Sequence, residues 1–225
     1  MKIAISGASG KTGSRIAEEA LAKGYEVSLI LRKGSVVPEN LKKCTQHVLS
    51  LSDSQALKAA LENCSALFIA TGARPSIDLT GPARVDAWGV KRQVEACEQV
   101  GTKRVILVSS LCAGRWQHPL NLFGLILIWK RIGERALEES KLDWTVIRPG
   151  GLNEREEDIA DENIRYTGAD MQEDAYIPRR LVARSCMEAL NTVSSIGQIV
   201  EVTSDKTYQR TTMKEAIKGF RTKAS

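Results

Sequence analysis

The sequence predicts an α/β fold in which a doubly wound parallel sheet carries helices on both faces, within a single domain. Short apolar runs alternate with helical periodicity along all 225 residues. Several of those runs are apolar at nearly every position, as strands covered on both faces must be. A third observation, the glycines at the first strand–helix junction, bears on what the sheet edge is for. With 43% hydrophobic and 26% charged residues, the composition is that of an ordinary globular chain and not of a disordered one.

Residues 2–6 (Lys-Ile-Ala-Ile-Ser) form a strand closed by Gly7. Helical periodicity then covers residues 11–23, with Ile16, Ala17, Ala20 and Leu21 on one face and Gly24 as the stop. Residues 25–31 make the second strand and 47–51 a weaker third; a helix over 54–62 is opened by Asp53 or Ser54. A strand at 66–70, a helix over 83–100 ended by Gly101 and a strong strand at 104–109 follow. The remaining elements are a helix over 122–140, a strand at 144–148, a helix over 177–190, a strand at 199–203 and a closing helix over 213–221. No repeat of solenoid period interrupts this order. The polar, acidic stretch 153–174 lacks apolar periodicity. It reads as part of a lid or substrate-side loop over residues 153–176, a small C-terminal extension and not a linker between domains.

Charge and cysteine usage narrow the function classes. The net charge is +5, but basic residues are scattered and acidic ones follow closely, so no nucleic acid is needed to account for them; an anionic small molecule suffices. Cys44, Cys64, Cys97, Cys112 and Cys186 show no CxxC spacing, and with His47 and His118 as the two histidines a zinc site is not expected. The thiols read as reduced and packed. The longest apolar run, 120–129, contains Asn121 and Gly124 and is shorter than the ~20 residues of a transmembrane segment. The chain enters a strand at once, without a secretory signal, which points to the cytoplasm, or to the plastid stroma after loss of a transit peptide. Monomer and homodimer both stay open.

Gly7-Ala8-Ser9-Gly10-Lys11-Thr12-Gly13 spells GxxGxxG between the first strand and the first helix. The first glycine permits the tight turn, the second lets backbone approach a pyrophosphate, and the third packs helix on strand. Free amides and the helix dipole then face the anion. This is the dinucleotide-binding junction of a Rossmann sheet. The second strand ends Leu31-Arg32-Lys33, with no carboxylate until Glu39 to hold a free ribose, so NADP is preferred over NAD. Lys11 is a third candidate cation for the phosphates.

Other candidates read more plainly. Asp86, Glu95 and Glu98 share a helix with Lys91 and Arg92 and suggest a solvated, salt-bridged face. Trp88 reads as a packing or dimer residue. Trp116 and His118 fall in the loop after the fifth strand, where ligands bind in such sheets. Phe123, Leu125, Ile126 and Trp129 make an apolar stripe beside Lys130.

Further landmarks are Arg104-Val105-Ile106-Leu107-Val108-Ser109-Ser110, Trp129-Lys130-Arg131 with Glu134, Trp144-Thr145-Val146-Ile147-Arg148-Pro149-Gly150-Gly151-Leu152, and Ile177-Pro178-Arg179 with Val182-Ala183. Together with the glycine loop, they give a chain that resembles the atypical short-chain dehydrogenase/reductase families nearly end to end. The similarity is to the NAD(P)-binding group with chloroplast Tic62-like and flavin/biliverdin reductase-like proteins. The resemblance implies that Ser50 and Leu51 flank adenine, although the family usually carries an aspartate where Ser50 stands. It implies that Ala70, Thr71 and Gly72 line the pyrophosphate and ribose, and that Ser109 sits beside the nicotinamide ribose. Lys130 would bond the ribose hydroxyls, while Pro149, Gly150, Gly151 and Leu152 back the ring.

The departure concerns catalysis. Such enzymes typically place a proton-donating Tyr four residues before the Lys, where this chain has Ile126. Of Tyr25, Tyr166, Tyr176 and Tyr208, the polar segment brings Tyr166 and Tyr176 into consideration. Lys130 and Ser109 remain as catalytic candidates, Ser109 as a positioning group. Two readings follow: an NADPH-dependent oxidoreductase acting on a flat conjugated acceptor such as a flavin, quinone or tetrapyrrole, or a non-catalytic NADP(H) redox sensor that reports to a protein partner. A nucleotide-sugar epimerase is disfavoured for want of the Tyr and of a larger C-terminal domain.

Overall fold

Alternate residues of the central strands feed two separate cores, one on each face of the sheet. In β1 (Lys2–Ser6), Ile3 and Ile5 face one core and Ala4 the other; in β4 (Ala66–Ile69), Ala66 and Phe68 oppose Leu67 and Ile69. β5 (Arg104–Val108) repeats the pattern, with Ile106 and Val108 against Val105 and Leu107. This period of two explains why the runs read as continuously apolar.

The computed structural model describes residues 1–72, 80–122 and 124–220. Phe123 of the apolar stripe and Arg221 of the expected closing helix lie outside the described residues. The first core receives α1 (Lys11–Ala22), α5 (Arg179–Leu190) and α6 (Met213–Ile217); the second receives α2 (Ser54–Leu61), α3 (Gly89–Val100) and α4 (Ile126–Glu138). With β2 (Glu26–Leu31), β3 (Thr45–Val48), β6 (Asp143–Pro149), β8 (Asn163–Thr167) and β10 (Gln198–Asp205), the main sheet has the order β3-β2-β1-β4-β5-β6-β10-β8. All pairs are parallel except β8 with β10. A second, two-stranded sheet joins β7 (Gly151–Asn153) to β9 (Tyr176–Pro178). The expected Rossmann architecture is therefore present, with the strand order reversing between β1 and β4.

Differences from the expected elements have local causes. β3 starts earlier than residue 47 because Thr45 already pairs with Ser28. The helix expected over 83–100 opens with a π-helical stretch, Ala83–Trp88. The helix expected from 122 begins at Ile126: Gly124 and Leu125 both take left-handed backbone (φ 81° and 56°), and Asn121 Oδ1 accepts the Leu127 amide at 3.1 Å. Tyr176–Pro178 is a strand and not the start of a helix, which begins after Pro178. Within the polar segment expected to be loop, Asn163–Thr167 alternates as the edge strand β8. Tyr166 is buried there and its hydroxyl donates to Glu188 at 2.7 Å. No helix among the described residues is long and apolar enough to cross a membrane.

Candidate functional site

The cleft lies where the sheet reverses, at the C-terminal ends of β1 and β4, and glycine makes it possible. Gly7 has φ 82°, and a Cβ on it would lie 2.7 Å from the Ala70 carbonyl oxygen. A Cβ on Gly13 would lie 2.3 Å from the Gly7 oxygen, so the first turn of α1 sits directly on the end of β1. Gly10 precedes α1 without any side-chain cap, and the first amides of that helix have no intrahelical partner. Ala8 is buried in the core.

Two cavities meet at Gly10, Ala70, Thr71 and Gly72. The smaller, about 570 Å³, lies on the β2 side and is lined by Ser9, Arg32, Ser50, Leu51, Trp88 and Arg92. Its charged groups are at the surface: Arg32 and Arg92 are exposed. Lys33 is exposed too and lines neither cavity. Ser50 and Ser52 share a hydrogen bond of 2.7 Å. Arg84, Trp88 and Arg92 recur every four residues on one helical face; in the sequence Arg92 read as solvated and Trp88 as packing, and the spacing that joins them to Arg84 was legible there. Trp88 also tilts against Trp129, with ring centroids 6.5 Å apart.

The larger cavity, about 820 Å³, lies on the β5 and β6 side. Thr12, Ser109, Lys130, Pro149, Gly150, Gly151 and Leu152 line it, so the sequence candidates from separate strands do converge. Lys130 Nζ donates to Asp86 Oδ1 at 2.9 Å, and the Asp86 side chain is 2% exposed. Asp86 is thus a buried partner of Lys130, not the solvated residue its neighbours Lys91 and Arg92 suggested. Gly133 permits the pairing, since a Cβ there would meet the Asp86 carbonyl oxygen at 2.1 Å. A Cβ on Gly72 would lie 3.9 Å from Asp86 Oδ1 and 4.0 Å from Lys130 Nζ, so the end of β4 comes up to this pair. The hydroxyls of Thr71 and Ser109 are buried without a hydrogen-bond partner among the described residues, an arrangement that costs free energy unless a ligand or water satisfies it.

A charged network backs this cavity. Arg148 donates through Nε and Nη2 to the two oxygens of Glu134, at 2.9 and 2.7 Å, and through Nη1 to Asp170 at 2.9 Å. Glu201 accepts the amides of Asp170, Met171 and Gln172 at 2.8–3.0 Å. Burial lifts its carboxyl above the usual range, against the pull of those amides and of Arg148. The network therefore anchors the segment leading to Glu173, Asp174 and Tyr176 at the cavity mouth.

Of the proton-donor candidates, Tyr166 faces Glu188 and its buried phenol is pushed up; it does not line the cavity. Tyr176 lines it and is 71% exposed. His118 lines it as well, with Nδ1 accepting the Leu120 amide at 3.2 Å, which leaves Nε2 to carry the proton of the neutral ring. Trp116 is exposed outside both cavities. Lys11 lines the larger cavity and is paired with Glu154, whose carboxyl the lysine hydrogen bond holds below its ordinary value.

Known proteins place this geometry. Residues 7–193 match the family model described as NAD(P)H-binding. The chain is 34% identical to Protein TIC 62 of Arabidopsis thaliana over 90% of its own length and 36% of that protein, and so spans about a third of it. It is 27% identical to sanguinarine reductase of Eschscholzia californica, over 84% of each chain. A solved Bacillus halodurans structure, provisionally named an NAD-dependent epimerase/dehydratase, superimposes with a TM-score of 0.83 at 25% identity, covering 97% of this chain and 99% of that one. The glycine loop, the sheet reversal above it and the matched residues agree: the chain belongs to the NAD(P)H-binding family and to its atypical short-chain dehydrogenase/reductase group.

Proposed function

We propose that the protein binds NADP(H) across both cavities and passes hydride to a flat, conjugated acceptor held in the larger one. The observation that carries this reading is the continuity of the cleft from Arg32, over the glycine loop, to Ser109 and Lys130. In it, Ser50 and Leu51 flank adenine, and Arg32 takes the 2′-phosphate, as expected where the second strand ends without a carboxylate. The amides of residues 7–13 receive the pyrophosphate. Ala70, Thr71 and Gly72 line the pyrophosphate and ribose, where the unpartnered Thr71 hydroxyl fits a ribose or phosphate oxygen. Ser109 and Lys130 hold the nicotinamide ribose, Lys130 oriented by Asp86. Pro149, Gly150, Gly151 and Leu152 back the ring.

When bound, the dinucleotide supplies the hydride. The chain supplies position and exclusion of water. Ile126 stands where a proton donor would precede Lys130, so the reading favours acceptors that take their proton from water, such as flavins or quinones. The similarity to a sanguinarine reductase supports a reductase. A second reading, a non-catalytic NADP(H) sensor acting on a protein partner, is favoured by the same missing donor and by the similarity to TIC 62. The chloroplastic naming of that relative supports a plastid setting.

Calorimetry with NADP⁺ and NAD⁺ in parallel, followed by NADPH oxidation against flavins, quinones and dichlorophenolindophenol, tests both. Turnover above the protein-free rate supports the reductase. Tight NADP⁺ binding without turnover supports the sensor, and absence of nucleotide binding overturns both.

A further inference from the structure

The nucleotide path leaves one cation of the larger cavity without a role. Arg179, the first residue of the 12-residue helix α5, lines that cavity together with Gly10, Lys11 and Thr12. The side chain is partly buried, and its buried Nε has no hydrogen-bond partner among the described residues. The two other arginines of the same helix are neutralised: Arg180 pairs with Glu18 at 2.6 Å and with Glu156 at 3.0 Å, and Arg184 with Glu19 at 3.4 Å. Glu154 is near enough to favour the Arg179 charge, yet its hydrogen bond goes to Lys11.

The setting is hostile to a lone guanidinium. A cation at a helix N-terminus opposes the dipole. Burial pushes the Arg179 guanidinium below its ordinary value, and the charge of Arg15 adds to that. The start of α1, with its uncapped amides, faces the same cavity. A buried donor without an acceptor costs free energy, and here three sources of positive potential meet in one corner. An oxyanion relieves all of them at once.

We propose that Arg179 and the first amides of α1 form an oxyanion site that receives a phosphate or carboxylate oxygen in the larger cavity. Two sources share this chemistry: the pyrophosphate that the loop amides receive in the nucleotide reading, or an acidic group on the second ligand that reaches Arg179 beside it. Only the first rests on the nucleotide reading above.

The test titrates wild type, Arg179→Gln and Arg179→Lys with inorganic pyrophosphate and NADP⁺. FMN and riboflavin are then titrated in the presence of NADP⁺. Loss of a charge-assisted bond predicts about tenfold weaker binding or more. Weakening of pyrophosphate and NADP⁺ in Arg179→Gln, partly recovered in Arg179→Lys, supports the site and assigns it to the dinucleotide. Unchanged NADP⁺ with weaker FMN and unaltered riboflavin supports the site and assigns it to the second ligand. All four ligands within about twofold of wild type overturn it. A wild type that binds pyrophosphate but not NADP⁺ overturns the nucleotide reading and leaves the pyrophosphate and flavin comparisons to decide the oxyanion site. The ligand-free melting temperature of Arg179→Gln should equal or exceed that of wild type; a marked fall identifies a structural arginine and also overturns the proposal.

Discussion

The two halves of the cleft are built on opposite electrostatic plans. On the β2 side the charges are solvated: Arg32 and Arg92 are exposed, and the Ser50 hydroxyl bonds to its neighbour Ser52. On the β5 and β6 side they are buried: Asp86, Glu134, Arg148 and Glu201 are each at most 3% exposed, Asp86 bound to Lys130 and the others to one another or to backbone amides. Exposed cations exchange water for a ligand phosphate with little consequence for folding. Buried ions are parts of the fold, each held by the partner that compensates its desolvation. Affinity and stability should therefore be separable in the first half and coupled in the second.

The largest effect expected is at Glu134. Glu134→Ala leaves Arg148, with 2% exposure, without its bidentate partner and also removes an acceptor of Arg131. Breaking one side of a buried pair costs about 3–5 kcal/mol, which denaturant unfolding measures. A loss below about 1 kcal/mol would show that the buried half is no more coupled to folding than the exposed one.

Gly133→Ala tests the same coupling through packing. The added Cβ would meet the Asp86 carbonyl oxygen at 2.1 Å, so α4 must retreat from the π-helical stretch and carry Lys130 away from Asp86. Overpacking of this kind costs about 1–3 kcal/mol. NADP⁺ affinity should fall with stability. A variant that loses stability but keeps its affinity would detach Lys130 from the nucleotide site.

Arg32→Ala is the counterpart in the exposed half. Calorimetry should show NADP⁺ binding weakened by about 1–3 kcal/mol, the worth of a charge-assisted contact, with NAD⁺ barely altered. The unfolding free energy should stay within about 0.5 kcal/mol of wild type, as for other surface substitutions. Equal weakening of both nucleotides would remove Arg32 from the 2′-phosphate.

The same division governs what could be read from the sequence. Residues 7–13 were legible because turn, close approach and helix start occupy consecutive positions. The place of Arg32 beside the cleft was legible because it follows a strand whose boundary the apolar run marks. Asp86 was not: its partner Lys130 is 44 residues away, and Lys91 and Arg92 beside it suggested a wet face. The available signal was Gly133, one helical turn after Lys130, a small residue where another backbone comes close. The alternation of Asn163–Thr167 was masked by the polar residues of an edge strand, and the Gly124–Leu125 break by a continuous apolar stripe on both sides. Backbone chemistry that is local leaves a pattern, whereas contacts across the sheet leave only residue types.

Ser50→Asp probes the smallest effect, and its sign tells the halves apart most finely. The families that this chain resembles usually carry an aspartate here, an acceptor for the adenine amino group that an exposed serine, engaged with Ser52 at 2.7 Å, offers only weakly. A carboxylate should strengthen NAD⁺ binding, by under about 1.5 kcal/mol because the position is exposed. For NADP⁺ the gain should be smaller, since the new charge shares the cavity with Arg32 and so with the 2′-phosphate that Arg32 is proposed to hold. Calorimetry at two salt concentrations separates the contributions: screening should shrink the difference between the nucleotides and leave the shared gain. Equal gains for both at low salt would put the 2′-phosphate outside the reach of residue 50, and with it the proposed direction of the adenosine across Arg32.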